Sequence, residues 1–340
     1  MTKSDAFSKF QAYMRLNNMS KDTQKQYRNW IERYFKFLAA NHEIKDLPSC
    51  DKFNAFIDFI VNSDPQPSLS NQKQAFFSLL AFYRSMDQKL DGLHVPTGTR
   101  VQRTFNTLSE QQVSRLIDAL PDEYKLMVRL MYGTGMRIDE CLSLRIKDVD
   151  FQNGLIYIQE GKGDKPRRVD LPGSIADEMK TQIESARAVY EFDKRIGNEG
   201  VYIPHLLEKK NKSLAKSFEW FWLFPNPHYG RDRESGIKRR HHVYDFALQR
   251  AFREARKKAR LPIYTTPHAL RHAFATHYLK AVLRDMPQVP NLAGYVRDIL
   301  RQKMGHVDAN TTDIYIHLAM PKNKVLNYSP LDALSKDGGL

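Results

Sequence analysis

Residues 266–279, TPHALRHAFATHYL, place three histidines and one arginine in a stretch that otherwise has the composition of a buried helix. Pro267 suits the first turn of a helix, and residues three or four positions apart share a helical face. His268, Arg271 and His272 are therefore predicted to project from one side. Cationic groups at the start of a helix favour an anion, and phosphate is the common one.

A zinc site is the first alternative for this cluster, because His268 and His272 have the i, i+4 spacing of the H-E-x-x-H motif. The chemistry does not fit, since Ala269 stands at the glutamate position and Arg271 lies between the two candidate ligands. We therefore predict no metal site. A capping histidine beside a solvated arginine remains an open alternative on this stretch alone.

Three further segments each offer a group suited to phosphate. TGMRIDE contains Arg137 after a glycine that lets the backbone approach an anion, and GKGDK contains Lys162. MGHVDANTTDIY contains His306 and Tyr315. Each signal is weak alone, because an isolated Arg, Lys or Tyr in a basic protein usually has a structural role. Their order along the chain is much more specific.

That order resembles the tyrosine recombinases, also called the phage integrase family. The family pattern is an arginine after a Thr-Gly turn, a lysine in a β-turn, His-x-x-Arg, then Gly-His and a tyrosine. Lys162 follows Arg137 by 25 residues (162 − 137), and Tyr315 follows His306 by 9 (315 − 306), both close to the family's spacing. The resemblance spans roughly 107–318. It implies a catalytic set of Arg137, Lys162, His268, Arg271, His306 and Tyr315.

The resemblance assigns the phosphate to three of these side chains and gives a neighbouring residue an orienting role. Attack on a DNA phosphodiester passes through a doubly charged pentavalent arrangement, which Arg137 and Arg271 would stabilise by holding the non-bridging oxygens. His306 would hydrogen-bond the same phosphate. Glu140, one helical turn after Arg137, would orient that arginine rather than react.

The remaining catalytic residues would move protons and form the covalent bond. A phenol with a pKa near 10 is a weak nucleophile, so Tyr315 needs a base, for which His268 is the nearest family match. Lys162 would protonate the leaving 5′-oxygen. The 3′-phosphotyrosine keeps the energy of the broken bond, so no ATP, metal or other cofactor is expected. His272 and His277 fall outside the family's catalytic set and are predicted to be structural.

The composition agrees with a nucleic-acid partner. The chain has 340 residues, 41% of them hydrophobic, which is enough for two domains with real cores. Its formal net charge is +14 and its pI near 9.6, which favours a polyanion such as DNA over the weaker candidate, a membrane surface. Neither a signal peptide nor a membrane-spanning run is predicted, and two cysteines fit a reducing cytoplasm.

Apolar periodicity divides the chain into three regions. Residues 1–90 contain four amphipathic helices and are predicted to form a helical DNA-binding domain that resembles the family's core-binding domain. Residues 91–106 have no apolar periodicity and are predicted to be a linker, in which Arg100 and Arg103 would lie along a phosphate backbone. Residues 107–340 would form the catalytic domain, opened by a capping box from Thr107 to Glu110.

The catalytic domain is predicted to be mainly α with one small sheet. GLIYIQEGKGDKPRRVDLP has the alternation and glycine-flanked turn of a β-hairpin, with Lys162 at its tip. A long helix is predicted from Ser174 to about residue 195, whereas residues 196–240 carry no assignable pattern. The resemblance further implies a two-domain, C-shaped DNA clamp that works as a homotetramer on DNA. The expected location is the bacterial cytoplasm, in association with the nucleoid.

An insertion at about 196–242 resembles the extra segment of the integron integrases, which recombine folded single-stranded sites with bulged bases. Exposed aromatic rings suit the stacking of unpaired bases, and adjacent cations suit phosphates. The candidate DNA-binding residues are Trp220, Trp222, Lys238, Arg239, Arg240, His241 and His242. The alternative, that FEWFWLF at 218–224 fills a core, stays open. A proline-bearing connection at about 284–297 is longer than the family's usual one.

Two functions from other classes also remain open. A type IB topoisomerase-like nicking enzyme would use the same chemistry without a partner site. A catalytically silent DNA-binding protein would keep the fold, although the complete residue set argues against it.

Overall fold

In the computed structural model, described residues cover 3–97, 107–159, 166–198, 200–232, 235–285 and 292–305. The chain divides into two compact units, residues 1–104 and 105–340. Each unit has its own hydrophobic core, so each is described separately.

The first unit contains four α-helices, as the periodicity predicts: α1 (Lys3–Leu16), α2 (Lys21–Ala40), α3 (Ser49–Val61) and α4 (Leu69–Arg84). Ser20 caps α2 by accepting a hydrogen bond from the backbone N–H of Thr23. Aromatic side chains dominate the core, which includes Phe10, Tyr34, Phe53, Phe56 and Phe82. Their edge-to-face contacts stabilise the packing of the helices.

The second unit is mainly helical. Its helices are α5 (Glu110–Ala119), α6 (Asp122–Thr134), α7 (Ile138–Leu142), α8 (Ala176–Arg195), α9 (His205–Lys210), α10 (Asp245–Lys258), α11 (Pro267–Asp285) and α12 (Leu292–Met304). Its described strands are β1 (Val149–Asp150), β2 (Leu155–Ile158), β3 (Arg167–Asp170), β4 (Pro225–Arg231) and β5 (Lys238–His242). The mainly α prediction is therefore confirmed, and α8 lies where the long helix was predicted.

The described residues of the second unit form two sheets, where one was predicted. The hairpin β2–β3 is confirmed, and β1 adds a third antiparallel strand to it. The second sheet pairs β4 with β5 inside the stretch that sequence patterns leave unassigned. A strand is recognised in a sequence by alternating apolar and polar residues. That alternation is missing in β5, because its two buried residues, Arg239 and Arg240, are adjacent and charged.

The cap of α5 differs by two residues from its predicted position. Ser109, not Thr107, accepts the hydrogen bond from the backbone N–H of Gln112, and the Gln112 side chain binds the backbone N–H of Ser109. Both positions fit the pattern of a hydroxyl followed three residues later by Glu or Gln, so sequence alone does not choose between them.

Gly135 ends α6 in a conformation that few other residues adopt. Its φ is +68°, and a Cβ at this position would lie 2.3 Å from a ring carbon of Phe274 on α11. Only glycine combines the left-handed backbone with this close approach of two helices. Gly135 thereby sets how α11 packs against the turn that precedes Arg137.

Gly135→Ala is expected to lower the free energy of unfolding by about 2 to 5 kcal/mol, the sum of left-handed strain and overpacking. Gly154→Ala is the matched control, because Gly154 has a φ of +63° but no neighbour within 4 Å of the added Cβ. In the control, only the left-handed strain should lower the free energy of unfolding, by about 1 to 2 kcal/mol. Urea unfolding of both variants measures the difference, and equal losses would contradict the packing argument.

Candidate active site

Among the described residues, Arg271 is the most deeply buried of those predicted to bind phosphate. Helix α11 places it in the interior, where its side chain is only 2% exposed. Its Nη1 donates a hydrogen bond of 2.7 Å to the carbonyl of Gly135, and its Nη2 donates to the carbonyl of Met304. Arg271 therefore joins the end of α6 to the end of α12, and its guanidinium is held rigidly by backbone oxygens.

Arg137 is positioned by Glu140 at the start of α7. The Glu140 Oε2 accepts the backbone N–H of Arg137 at 2.7 Å, and Oε1 accepts its Nη1 at 2.9 Å. This geometry supports the expectation that Glu140 orients Arg137. Burial would raise the pKa of Glu140, but hydrogen bonds and charge from Arg167 and Arg137 outweigh burial and lower it. The carboxylate therefore stays charged at neutral pH.

Arg167, the first residue of β3, is a site residue that the sequence analysis missed. Its Nη1 and Nη2 donate to the two carboxylate oxygens of Glu140 at 2.9 and 2.6 Å. Its Nε donates to the carbonyl of Lys303 at 2.8 Å. A signal was available, because Arg167 is two positions before the buried Val169 and so shares its face of the strand.

His268 and His272 lie together on α11, as their spacing predicts, with ring centroids 4.6 Å apart. Partial burial, followed by the charges of Arg271 and Arg137, lowers the pKa of His268. Burial, followed by His268 and Arg271, lowers the pKa of His272 to about 4. Both rings are therefore neutral near pH 7, the form in which His268 can accept a proton. His277, one turn further on, has a different contact, since its Nδ1 lies 2.8 Å from the hydroxyl of Tyr132.

Several predicted site residues lie outside the described residues. They are Arg100, Arg103, Lys162, His306 and Tyr315. The middle of the long connection at 284–297 also lies outside them. The described flanks of the predicted catalytic segments are β2 and β3 on either side of Lys162, and Gly305 directly before His306.

Trp222 is a core residue in this structure, which contradicts its prediction as a base-stacking surface. It is 4% exposed and packs with Phe221, Val201 and Ile203. Its Nε1 donates to the Arg240 carbonyl at 3.0 Å. The alternative that this segment fills a core is correct for Trp222, because the indole satisfies its only polar group inside the unit.

Trp220 is half-buried, and cationic side chains approach its ring. The guanidinium carbon of Arg145 lies 5.1 Å and the Lys147 Nζ 4.3 Å from the Trp220 ring centroid. Arg145 also lies 3.9 Å from the Trp222 ring, and burial lowers its pKa to about 10 despite Asp148. Arg145 therefore remains charged and connects the insertion to the segment after α7.

Arg239 and Arg240 also differ from their prediction as DNA contacts. Both are buried, at 3% and 4% exposure. Arg239 pairs with Glu208, and Arg240 binds both carboxylate oxygens of Asp193 through Nε and Nη2. Guanidinium groups engaged in buried ion pairs are not available to phosphate, because removing one partner leaves an unpaired charge.

The other candidates of the β5 strand keep accessible surface. Lys238 is exposed, whereas His241 and His242 are half-buried. His242 packs edge-on against Trp222 with centroids 4.9 Å apart and contacts the Val243 carbonyl through Nδ1. Burial lowers the pKa of both histidines.

The described part of the chain contains neither a cluster of metal ligands nor a membrane-spanning helix. Among those residues, no group of three or more His, Cys, Asp or Glu side chains is arranged to hold a metal ion. Likewise, none of the described helices combines the length and the apolar character that a membrane crossing requires.

Sequence comparisons match both units to one family. Residues 106–322 match the phage integrase family, and residues 7–90 match the N-terminal SAM-like domain of phage integrases. An integrase/recombinase of Escherichia coli is 36% identical over 314 residues, which cover 92% of this chain and 88% of that protein. The tyrosine recombinase XerA of Thermococcus kodakarensis is 26% identical over 320 residues, which cover 92% and 90%.

Solved structures of similar fold include a recombinase bound to its substrate and an integrase bound to a core site. The post-cleavage complex of the XerH site-specific recombinase with palindromic difH has a TM-score of 0.57 at 17% identity and covers 96% of this chain and 82% of that one. A lambda integrase (75–356) dimer bound to a COC′ core site has a TM-score of 0.57 at 13% identity, with 97% and 100% coverage. At these identities the likeness shows the fold.

The lowered pKa of His272 predicts that the protein loses stability in mild acid. An unfolded chain protonates this histidine near pH 6.5, whereas the folded chain does so only near pH 4. The stability that neutral His272 contributes to the fold is therefore fully present above pH 6.5. This stability is lost as the pH falls towards 4, because the unfolded state binds the additional proton.

Thermal unfolding of the wild type and of His272→Gln between pH 7 and 5 measures this effect. The wild type should lose about 1 kcal/mol more than the variant over that range, after allowance for solvent screening of the half-buried ring. An equal loss in both proteins would show that His272 is protonated as easily in the folded state as in the unfolded one.

Proposed function

The chain belongs to the phage integrase family, and on that premise we propose that it cuts and rejoins DNA at specific sites through a covalent 3′-phosphotyrosine intermediate. The observation that carries the proposal is the pair of arginines formed by Arg137 at the start of α7 and Arg271 near the start of α11. Arg271 binds the carbonyl of Gly135, two residues before Arg137, and the charges of both arginines act on His268. Two held cations beside a neutral histidine suit an anionic reacting group.

The two arginines would stabilise the phosphate where its charge is greatest. In the pentavalent arrangement the non-bridging oxygens carry two negative charges, and guanidinium groups held in advance need no reorganisation when that charge develops. Arg271 is held by two backbone carbonyls and Arg137 by Glu140. Each arginine therefore enters the reaction with its position already determined.

Tyr315 is the proposed nucleophile, and its phenol loses a proton as the oxygen attacks phosphorus. His268 is the proposed base, because its lowered pKa keeps it neutral and able to accept that proton. Lys162 would protonate the leaving 5′-oxygen, and His306 would hydrogen-bond the phosphate. The phosphotyrosine bond conserves the energy of the broken phosphodiester, so rejoining needs neither ATP nor a metal.

DNA is the proposed partner, and a homotetramer on paired sites is the proposed assembly. The net charge of +14 supports a polyanionic partner. The XerH recombinase is bound to its palindromic difH substrate and lambda integrase to a COC′ core site, and the proposal extends binding of such a site to this chain.

A finer proposal concerns folded single-stranded sites of the kind that integron integrases recombine. Trp220 and His241 retain exposed surface in the insertion. Beyond His241, the rings of Tyr244 and Phe246 stack with centroids 5.5 Å apart and planes 16° apart, and Phe246 is 65% exposed. Stacked aromatic rings with exposed surface suit an unpaired base, and the exposed Lys238 of β5 suits a phosphate. The residues that we propose for this contact are Trp220, Lys238, His241, His242, Tyr244 and Phe246.

Two other activities are distinguishable by experiment. A type IB topoisomerase-like enzyme would relax supercoiled DNA without recombinant product, and a silent DNA-binding protein would form no covalent adduct. Sequencing the DNA that remains attached to the protein after SDS treatment would identify the target site.

Tyr315→Phe is expected to abolish the covalent adduct on nicked DNA substrates and to preserve DNA binding, because it removes only the attacking oxygen. SDS gel electrophoresis measures the adduct, and a gel-shift titration at one salt concentration measures binding. EDTA should leave the adduct of the wild type intact. An adduct of normal yield from the variant would reject Tyr315 as the nucleophile.

Trp220→Ala is expected to weaken binding to a bulged hairpin by about 1 to 3 kcal/mol, the usual value for a lost base stack. Binding to the same stem without the bulge should hardly change. Lys238→Ala is the control, since a lost phosphate contact weakens both substrates alike and reduces the salt dependence. If Trp220→Ala weakens binding to both substrates equally, the result would favour a recombinase that acts on double-stranded sites.

A further inference from the structure

Arg167 connects three segments that the proposed reaction needs. It begins β3, five residues after Lys162. Its two Nη groups bind the carboxylate of Glu140, which also binds Arg137. Its Nε binds the carbonyl of Lys303, near the end of α12. The hairpin, the start of α7 and the end of α12 are therefore connected through one guanidinium.

The shape of this side chain matches its contacts. A guanidinium offers donors in a planar fork, so both Nη groups can meet a carboxylate while Nε points to a third acceptor. An ammonium group is a point charge and cannot reproduce the three contacts in one plane. The Arg167 side chain is 8% exposed and that of Glu140 is 6% exposed. Water therefore cannot replace either partner easily.

The contact with Lys303 determines where α12 ends. The last carbonyls of a helix lack intrahelical partners, and cations near them are favourable. Arg167 binds the carbonyl of Lys303, and Arg271 binds that of Met304. Gly305 follows with a φ of +64°, and a Cβ there would lie 3.1 Å from Nη1 of Arg167. Two arginines thus hold the chain directly before His306.

We propose that Arg167 is a positioning residue of the phosphate-binding site, acting on Arg137 through Glu140 and holding the end of α12 through the carbonyl of Lys303. The proposal rests on the proposed function, since it assigns Arg137 and His306 to the phosphate. Burial of an ion pair is costly, and apolar replacements are often as stable. The pair Glu140–Arg167 is therefore better explained by the orientation that it imposes than by stability.

The central experiment measures the rate of covalent adduct formation at saturating nicked DNA for Arg167→Ala, Arg167→Lys and the control Arg168→Ala. Arg168 is the exposed neighbour on the opposite face of β3, so its variant removes the same charge without the contacts. Arg167→Ala should be slower by about 10²-fold, the effect of misplacing a reacting group by about 1 Å, with unchanged DNA affinity. Arg167→Lys should recover part of the rate, and Arg168→Ala should match the wild type.

A second substrate separates phosphate positioning from proton donation. A 5′-bridging sulfur leaves without a proton, so it should restore much of the rate of Lys162→Ala. It should not restore Arg167→Ala, because the defect of that variant lies in holding the phosphate. If sulfur restores the rate of Arg167→Ala, the proposal is overturned. Arg167 would then support proton donation by holding the hairpin of Lys162.

A double-mutant cycle tests whether Arg167 acts through Glu140. The double variant Glu140→Ala, Arg167→Ala should be no slower than the slower single variant, whereas independent effects would multiply and overturn the proposal. Melting curves accompany each variant. If Arg167→Ala does not fold, Arg167→Lys decides the matter, since a wild-type rate from it overturns the proposal and a slowed rate supports it. Absence of any adduct from the wild type would instead reject the proposed function.

Discussion

The carboxylate of Glu140 accepts hydrogen bonds from the backbone and guanidinium of Arg137 and from both Nη groups of Arg167. A buried carboxylate is tolerated only when donors surround it, and here the donors come from two elements far apart in sequence. The start of α7 and the start of β3 must therefore meet at one point. Because Arg167 also binds the carbonyl of Lys303, the end of α12 is brought to the same place.

A comparable constraint acts from the other side of the site through Arg271. Its guanidinium binds the carbonyls of Gly135 and Met304, so α6 and α12 end against the same side chain of α11. Gly135 allows this only because it lacks a Cβ that would overlap Phe274. The two arginines proposed to bind phosphate are thus held by groups that also organise the ends of helices. Rigidity of this kind lowers the cost of placing charge in the transition state.

The insertion at 196–242 shows that a run of basic residues in the sequence need not form a basic surface. The run KRRHH reads as a basic strip, yet Arg239 and Arg240 point inward and pair with Glu208 and Asp193. Arg145 similarly lies between two tryptophans. These cations stabilise the packing of a segment that has few aliphatic residues. The surface near β5 is consequently more aromatic than the sequence suggests, because Tyr244 and the exposed Phe246 stack there.

The sequence by itself determined the helices of the first unit, the β2–β3 hairpin and the order of the predicted catalytic residues. Caps, periodicity and spacing are properties of neighbouring residues, so they are legible without the fold. It also brought His268, Arg271 and His272 onto one face, because one helical turn suffices for that. Tertiary structure decided what needs distant partners. It buried Trp222, Arg239 and Arg240 and lowered the pKa of His272 to about 4. It also joined Arg167 both to Glu140 and to the carbonyl of Lys303. Burial and ion pairing depend on which segments meet, and only the folded chain specifies those meetings.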